Sequence, residues 1–357
     1  MRTLRRYLTS EIIAATALVF AALLMLFAFF DLVEQIKDLG RGNYRLRHIV
    51  IHVLLSVPNH VYELFPIAAL IGTLFALAQL VASSEYTVIR TSGVSLTRMT
   101  AMLGTVGIVF ALLTFAFGEF IGPPAEQLAQ RLRSQAITGL VAQEFRSGLW
   151  IKDDKNFINV LEVLPDSTLK GVKVYEFDAD YRLRSISFAK RGDYQSDRRW
   201  LLKEVVQTTF DGMKAGVKKI DQASWQSVLD PALLSVLLVK PEQMSAWSLY
   251  SYAQHLKENR QKALRYEIAL WAKIMYPLAV LVMMLLALPF AYFQRRQGGV
   301  GAKIFAGIML GLAFHFLNRL FAHLGLLNEW PPLASATAPT LIFLSVAVAM
   351  MWWQERR

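Results

Sequence analysis

The sequence has no cysteine and little charge. Without cysteine, the chain can form neither a disulfide nor a cysteine-ligated zinc or iron–sulfur site. Charged residues make up 18% of the 357 positions and hydrophobic residues 55%, whereas soluble domains are roughly a quarter charged. These proportions argue against a purely cytosolic globular protein.

The motifs for a nucleotide or a catalytic metal are incomplete. A Walker A loop needs Gly, Lys and Ser or Thr in direct succession, but Ala302 separates Gly301 from Lys303. A zinc protease needs H-E-x-x-H, and between His48 and His52 the place of that glutamate is taken by Ile49. We therefore expect no cofactor and no metal, and any ATP must be hydrolysed by another subunit.

The excess of positive charge indicates a membrane partner. The formal net charge is +11, yet residues 119–267 account for only +3, so most of the excess lies on the apolar remainder. Basic residues that flank apolar spans are typical of membrane proteins. We expect no binding to nucleic acid.

Six apolar segments are long enough to cross a bilayer, in two groups of three. A bilayer core about 30 Å thick needs roughly 20 helical residues. The six segments are 12–30, 64–84 (whose helix begins earlier, with Pro58 and Pro66 as kink sites), 99–118, 274–293, 304–327 and 333–353. Short loops on the side of the termini contain ten Lys and Arg, against five on the other side. The positive-inside rule therefore predicts cytoplasmic termini and places residues 119–267 outside.

Between the two groups, residues 150–230 consist of short runs with strand character, separated by polar turns. The clearest run places every second residue from 200 to 210 on one face. These residues are Trp200, Leu202, Val206, Thr208 and Phe210, with Glu204 as the exception. Several strands without intervening helices indicate an antiparallel sandwich or jelly roll. Helical stripes at 128–140 and 249–256 frame this region.

The predicted fold is therefore a polytopic α-helical membrane protein with six transmembrane helices in a 3+3 arrangement and an inserted all-β, jelly-roll-like domain. Residues 1–118 form the first three spans, with an inside loop at 83–98. Residues 119–267 form the β domain and its helical connectors, and residues 268–357 form the last three spans.

The inside loop is a candidate binding element. Ser83 or Ser84 can start a short helix with Glu85 in its first turn, and Gly93 can end it. Permeases use such a helix to contact a cytosolic motor, although most loops of this kind are only solvated connectors.

A second candidate is the charged cluster after the first span. If the helix continues outward, one face carries Asp31, Glu34, Lys37 and Arg41. The cluster could bind an anionic headgroup, or it could be a solvated helix end with weak ion pairs; the pattern favours neither.

Ionisable residues within or beside the spans form a third candidate. They are Glu63, Lys273, His315, Arg319 and His323. A proton-coupled carrier could use them. Glu63, Lys273 and Arg319, however, lie near predicted span ends, which favours side chains that reach out to the interface.

Weak markers occur in order along the whole chain. They are LSVP at 55–58, FP at 65–66, the segment 84–93, GE at 118–119, the segment 148–157, and Trp271, Lys273 and Pro277. In this order they resemble the lipopolysaccharide-transport permeases of Gram-negative bacteria, the LptF/LptG family, and its LptG members most.

The resemblance implies a permease subunit of an ABC transporter in the inner membrane. Such a permease extracts lipopolysaccharide and passes it to a periplasmic bridge, and its β-jelly roll is periplasmic. The implied partners are an LptF-like permease, an LptB-like ATPase dimer, an LptC-like single-helix protein and an LptA-like bridge.

The resemblance also implies site residues. It assigns ATPase coupling to the inside loop, at Glu85, Tyr86, Ile89, Arg90 and Gly93. It assigns contacts with the lipid A phosphates to Lys37 and Arg133, which Arg41 of the charged cluster joins. Acyl chains are expected against Phe27 and Phe30, in a cavity between the first and fifth spans. Asp31, Asp38 and Gln130 depart from the basic residues that family members carry nearby.

Two other classes of protein fit the same topology. An ion-coupled secondary carrier would transport without an ATPase and would depend on a buried ionisable residue. A mechanotransmission or scaffold protein would have no lipid cavity.

Overall fold

A computed structural model of the chain describes residues 2–137, 148–153, 156–163, 168–178, 180–195, 199–211, 214–227, 240–258, 261–293 and 300–356. Within these residues, six helical segments are long and apolar enough to cross a membrane, which confirms the predicted number. They are built on α1 (Arg2–Ile36), α2 (Leu46–Ala82), α4 (Leu96–Ala116), α7 (Leu264–Phe293), α8 (Val300–Leu327) and α9 (Pro332–Glu355). The shorter helices are α3 (Glu85–Thr91), α5 (Gly122–Ala136) and α6 (Ala246–Glu258).

Some predicted features lie outside the described residues. They include Leu140 at the end of the 128–140 stripe, residues 228–230 at the end of the predicted strand region, and positions 294–299 of the basic loop between α7 and α8.

Helix α2 is the centre of the helical bundle. In its apolar span 78% of the residues are buried, against 17% in α1 and 17% in α8. Leu70, Leu74 and Leu77 of α2 are almost completely buried in the largest apolar core. Helices α1 and α8 therefore expose most of their surface to lipid or to another helix.

Helices α1 and α2 approach each other closely at one glycine. A Cβ atom added to Gly72 of α2 would lie 2.4 Å from the Cα atom of Thr16 in α1. Small residues permit this kind of close packing between membrane helices.

The third span continues beyond the membrane as one long segment. Helix α4 passes through a π-helical stretch (Phe117–Ile121) into α5. Pro123 and Pro124 have no N–H to donate. The N–H of Gly122, just before them, bonds to the carbonyl of Phe117 five residues back, which is the spacing of a π-helix. The segment Leu96–Arg133 has 38 residues, about 57 Å at 1.5 Å per residue. It therefore carries Arg133 out of the hydrocarbon core.

The inserted domain contains one antiparallel sheet within the described residues. Its six strands are β1 (Leu149–Asp153), β2 (Asn156–Val163), β3 (Leu169–Phe177), β4 (Leu183–Tyr194), β5 (Arg199–Asp211) and β6 (Lys214–Gln226). They pair in consecutive order, so the described strands form a meander without the Greek-key crossing of a jelly roll. The predicted all-β insertion between two triplets of helices is confirmed. The domain limits stay a prediction, because 118/119 and 267/268 both fall inside helical segments.

The predicted alternation in β5 is correct only in its first half. Trp200 and Leu202 are buried as expected, but the next buried residue is Val205 and not Val206. Between them Glu204 has a φ of 51°, a left-handed conformation that ordinary side chains rarely adopt. This residue shifts the pleat by one position, so Val206, Thr208 and Phe210 are not on the buried face.

Candidate functional site

The inside loop forms the predicted short helix. Ser84 precedes α3 with a φ of 64°, and Gly93 follows it with a φ of 88°. A positive φ just past the end of a helix favours glycine. Glu85 occupies the first turn and Arg90 the last, where each charge is favourable to the helix dipole.

The two faces of α3 have different roles. Tyr86 and Ile89 are only 6% and 7% exposed and belong to the main apolar core, so they anchor the helix and cannot form a docking surface. Val88 on the opposite face is 65% exposed, and the side chain of Arg90 donates to the carbonyl of Val94 at 3.0 Å. The surface of α3 open to a partner therefore consists of the exposed Val88, Arg90 and Thr91, with the half-buried Glu85 beside them.

Glu85 is joined to the first helix, which the sequence did not indicate. The hydroxyl of Tyr7 in α1 donates to Oε2 of Glu85 at 2.9 Å. The hydroxyl of Ser83 donates to Oε1 at 3.1 Å. Both oxygens of the carboxylate are thus oriented by neighbours, one of them in α1.

The predicted helical face of the charged cluster is wrong. Helix α1 ends at Ile36, and residues 37–40 form turns, so Lys37 and Arg41 do not share a helical face with Glu34. Asp31 does not join them either, because its Oδ2 lies 2.5 Å from Nε2 of His60 in α2.

Asp38 instead organises the basic residues. Its side chain is 11% exposed, and its two oxygens each accept a hydrogen bond at 2.6 Å, one from Arg41 and one from Arg133. Lys37 is exposed and has no ion pair among the residues that the structure describes. Together these four side chains have a formal charge of +2, and we call them the basic cluster.

A buried tyrosine holds the basic cluster in place. Tyr44 is 1% exposed, and its hydroxyl donates to Oε1 of Gln35 at 2.9 Å. Burial raises the pKa of the Tyr44 phenol, so this donor stays neutral at physiological pH. The backbone N–H of Asn43 bonds to the carbonyl of Ala136 at 2.8 Å, which ties the turn after α1 to the end of α5.

The two phenylalanines differ in exposure. Phe30 is 57% exposed, and Phe27 is half-buried with its ring centroid 5.5 Å from that of His60. Only Phe30 therefore presents most of its ring to an acyl chain in this conformation.

Two of the ionisable residues near span ends, Arg319 and Lys273, differ in exposure. Arg319 is exposed, as expected for a side chain that reaches the interface. Lys273 is only 6% exposed, so the expectation of a side chain that reaches out is wrong for this residue.

Within the described ranges no group of three ligands could hold a metal, and Nδ1 of His48 accepts from the N–H of Arg45 at 3.0 Å.

Comparisons with known proteins cover nearly the whole chain. The family described as "Lipopolysaccharide export system permease LptF/LptG" matches residues 6–353. The chain belongs to the LptF/LptG family. Two similar relatives of that family are named lipopolysaccharide export system permease protein LptG. The one from Escherichia coli is 32% identical over 351 residues, covering 98% of this chain and 97% of the relative. The one from Haemophilus influenzae is 31% identical over 356 residues, covering 99% and 98%.

Membership of the LptF/LptG family confirms the resemblance drawn from the sequence. Together with the apolar helices it identifies a multi-pass protein of the inner membrane. The match extends through both triplets of helices and the inserted sheet.

Proposed function

We propose that this chain is the permease subunit of an ABC transporter that extracts lipopolysaccharide from the inner membrane and passes it to a periplasmic bridge. The observation that carries the proposal is the nearly full-length match to a family of lipopolysaccharide export permeases. The fold is consistent with it, because the inside loop forms a short helix and a basic cluster follows the first span. The partners are an LptF-like permease, an LptB-like ATPase dimer, an LptC-like helix and an LptA-like bridge.

The proposed orientation has cytoplasmic termini and a periplasmic sheet. The distribution of Lys and Arg over the short loops supports it, with ten on the side of the termini and five on the other. It places α3 on the side of the ATPase, and the basic cluster at the outer surface of the membrane.

In the proposed mechanism Glu85 receives the movement of the ATPase. Its carboxylate would meet a basic residue of that subunit, while the buried Tyr86 and Ile89 transmit the displacement to the helical core. The hydroxyl of Tyr7 passes the same displacement to α1.

The basic cluster would hold the lipid A phosphates. Arg41 and Arg133 each use one donor on Asp38, and a guanidinium has five N–H donors, so both have donors left for a phosphate. Lys37 adds an exposed ammonium. Asp38 thus orients the two arginines, and its negative charge weakens their attraction for the phosphate.

The acyl chains would lie against the exposed apolar surfaces of α1 and α8. Exposing them to water would cost about 0.8 kcal/mol per CH₂, so the lipid must move from one apolar surface to the next. ATP-driven closure of the helices would displace it toward the sheet.

Reconstitution with and without the ATPase tests the proposal. We expect the complete assembly in proteoliposomes to release lipopolysaccharide to an acceptor protein only with ATP, and Glu85→Arg to abolish release per ATP hydrolysed. Asp180→Arg, the same reversal of charge at an exposed turn between β3 and β4, is the matched control and should retain release. Extraction by the isolated subunit would refute the proposal, and dependence on a proton gradient without an ATPase would favour a secondary carrier.

A further inference from the structure

Lys273 of α7 is a buried cation without an acceptor. It is 6% exposed, and its Nζ has no hydrogen-bond partner among the described residues. It lies 4.5 Å from the centroid of the Tyr62 ring in α2. A cation–π contact compensates only in part for lost water, because the three N–H donors of the ammonium stay unused.

The surroundings of Lys273 are tightly packed. A Cβ atom added to Gly118 in the π-helical stretch would lie 2.5 Å from the Tyr62 ring. The ring of Tyr276 lies 4.8 Å from that of Tyr62, and its hydroxyl donates to the carbonyl of Glu63 at 2.6 Å. Lys273 is therefore held at a contact of α2, the π-helical stretch and α7.

The residue after Gly118 connects this contact to the inserted domain. Glu119 accepts hydrogen bonds from the first two backbone N–H groups of α6, those of Ala246 at 2.7 Å and Trp247 at 3.3 Å. A carboxylate at this place also interacts favourably with the helix dipole. Because α6 follows the sheet in the chain, Glu119 joins the third span to the element that returns from the sheet.

Glu119 directly follows Gly118, which packs against the Tyr62 ring that Lys273 covers, but Glu119 uses its two oxygens on α6. The nearby Glu63 accepts from the amide of Asn59 at 3.4 Å. Glu119 thus bonds to a helix N-terminus, while its neighbour in the chain packs against the ring that the unpaired ammonium covers. We call Lys273, Glu119 and the start of α6 the joint.

We propose that Lys273 is a positioning residue of the joint and the alternative partner of Glu119 during the transport cycle. In the conformation described here Glu119 caps α6. When α7 moves against the third span, Glu119 pairs with Lys273 and releases the start of α6, so the sheet changes its position as the membrane helices close.

This inference rests on the proposed transport function and adds a route from the membrane helices to the sheet. Two features distinguish it from a purely structural role for Lys273. A lysine that only fills space would gain nothing from a buried charge, and π-helical stretches inside α-helices occur frequently at functional sites.

Charge-removing variants test the joint in the reconstituted complete assembly. Lys273→Met keeps the length of the side chain, and Glu119→Gln keeps an oxygen that can cap α6. We expect each to lower lipopolysaccharide release per ATP hydrolysed about tenfold, the effect of removing one hydrogen bond to a charged group. Lys273→Arg should restore most of the release, which a merely structural role would not predict.

The double variant shows whether the two residues act together. If they do, Lys273→Met in the Glu119→Gln background lowers release by less than about twofold further, because coupled residues are not additive. Effects that multiply in the double variant, or a Lys273→Met variant with normal release, would overturn the inference.

A distance measurement decides the matter even if Lys273→Met does not assemble. The chain has no cysteine, so Leu112→Cys in α4 and Tyr250→Cys in α6, both exposed positions, place one spin-label pair on this subunit. We expect nucleotide to produce a second distance population in the otherwise unchanged chain. A single constant distance during active release would overturn the joint, whereas no release by the unchanged assembly would refute the transport function itself.

Discussion

The contact between α1 and α2 can be tested at a single glycine. In Gly72→Ala the new Cβ atom would lie 2.4 Å from the Cα atom of Thr16, whereas carbon atoms in contact prefer about 3.5–4.0 Å. The clash involves backbone, so no change of rotamer relieves it. One helix must move by about 1 Å or more, and overpacking of this kind costs about 1–3 kcal/mol.

Helix propensity acts in the opposite direction. Alanine is favoured over glycine within a helix by about 1 kcal/mol, so the net destabilisation is about 0–2 kcal/mol. Gly104→Ala is the matched control, because it has the same propensity gain in α4 and nothing lies within 4 Å of the added Cβ. We therefore expect Gly72→Ala to be less stable than Gly104→Ala by about 1–3 kcal/mol.

The assay is thermal unfolding of both variants in the same detergent, followed by photo-crosslinking of lipopolysaccharide in proteoliposomes. Gly72→Ala should also change lipid crosslinking, since it displaces α1, whereas Gly104→Ala should not. Equal stabilities of the two variants would show that α1 does not approach α2 at Gly72.

Three further outcomes follow from the structure. Tyr7→Phe removes only the hydroxyl that bonds to Glu85 and should lower release per ATP by about two- to tenfold; unchanged coupling would remove Tyr7 from the route. Lys37→Asp should reduce crosslinking of lipopolysaccharide because it reverses the exposed charge of the basic cluster. An unchanged crosslinking yield would show that Lys37 is only a solvated residue of the turn. Hydrogen bonds from Lys203 and Arg191 lower the pKa of Asp193, so this pairing stabilises the sheet above the unfolded pKa of about 3.9 and is lost as the pH falls through the lower folded value. Asp193→Asn should make unfolding of the sheet less dependent on acid in that range, and an unchanged acid profile would contradict the assignment.

The spanning helices and α3 could be predicted because their signals are local. Apolar length alone marks a membrane span, and a serine before Glu85 with Gly93 at the far end marks a short helix. The resemblance to the LptF/LptG family was also readable, because its markers depend on order along the chain and not on geometry.

Other features depend on contacts between distant residues, and no local pattern contains them. The bond from Tyr7 to Glu85 joins residues 78 positions apart, and Arg133 reaches Asp38 across 95 positions. The end of α1 at Ile36 has no local signal, because charged residues at helical spacing fit a helix and a turn equally well. Glu204 looks like a single exception in a regular strand, although its left-handed φ changes which later residues are buried.

Helix α1 has the properties of a lever between the two candidate sites. It has no proline or glycine over 35 residues, about 52 Å, whereas α2 contains Pro58 and Pro66. Its contacts with the rest of the chain include the bond from Tyr7 to Glu85, the close approach of Thr16 to Gly72, and the pair of Asp31 with His60.

The position of the close approach determines how motion is transmitted along α1. Thr16 lies about 13 Å along the helix from Tyr7 and about 22 Å from Asp31. A tilt about Thr16 would move the outer end about 1.7 times as far as the inner end, and in the opposite direction. Leu18→Gly combined with Ala21→Gly, at two exposed positions beyond Thr16, would soften α1 by about 1 kcal/mol per glycine. We expect this pair to lower lipopolysaccharide release per ATP with Leu18→Ala as the control, and equal release by both would show that α1 does not transmit the movement as a rigid body.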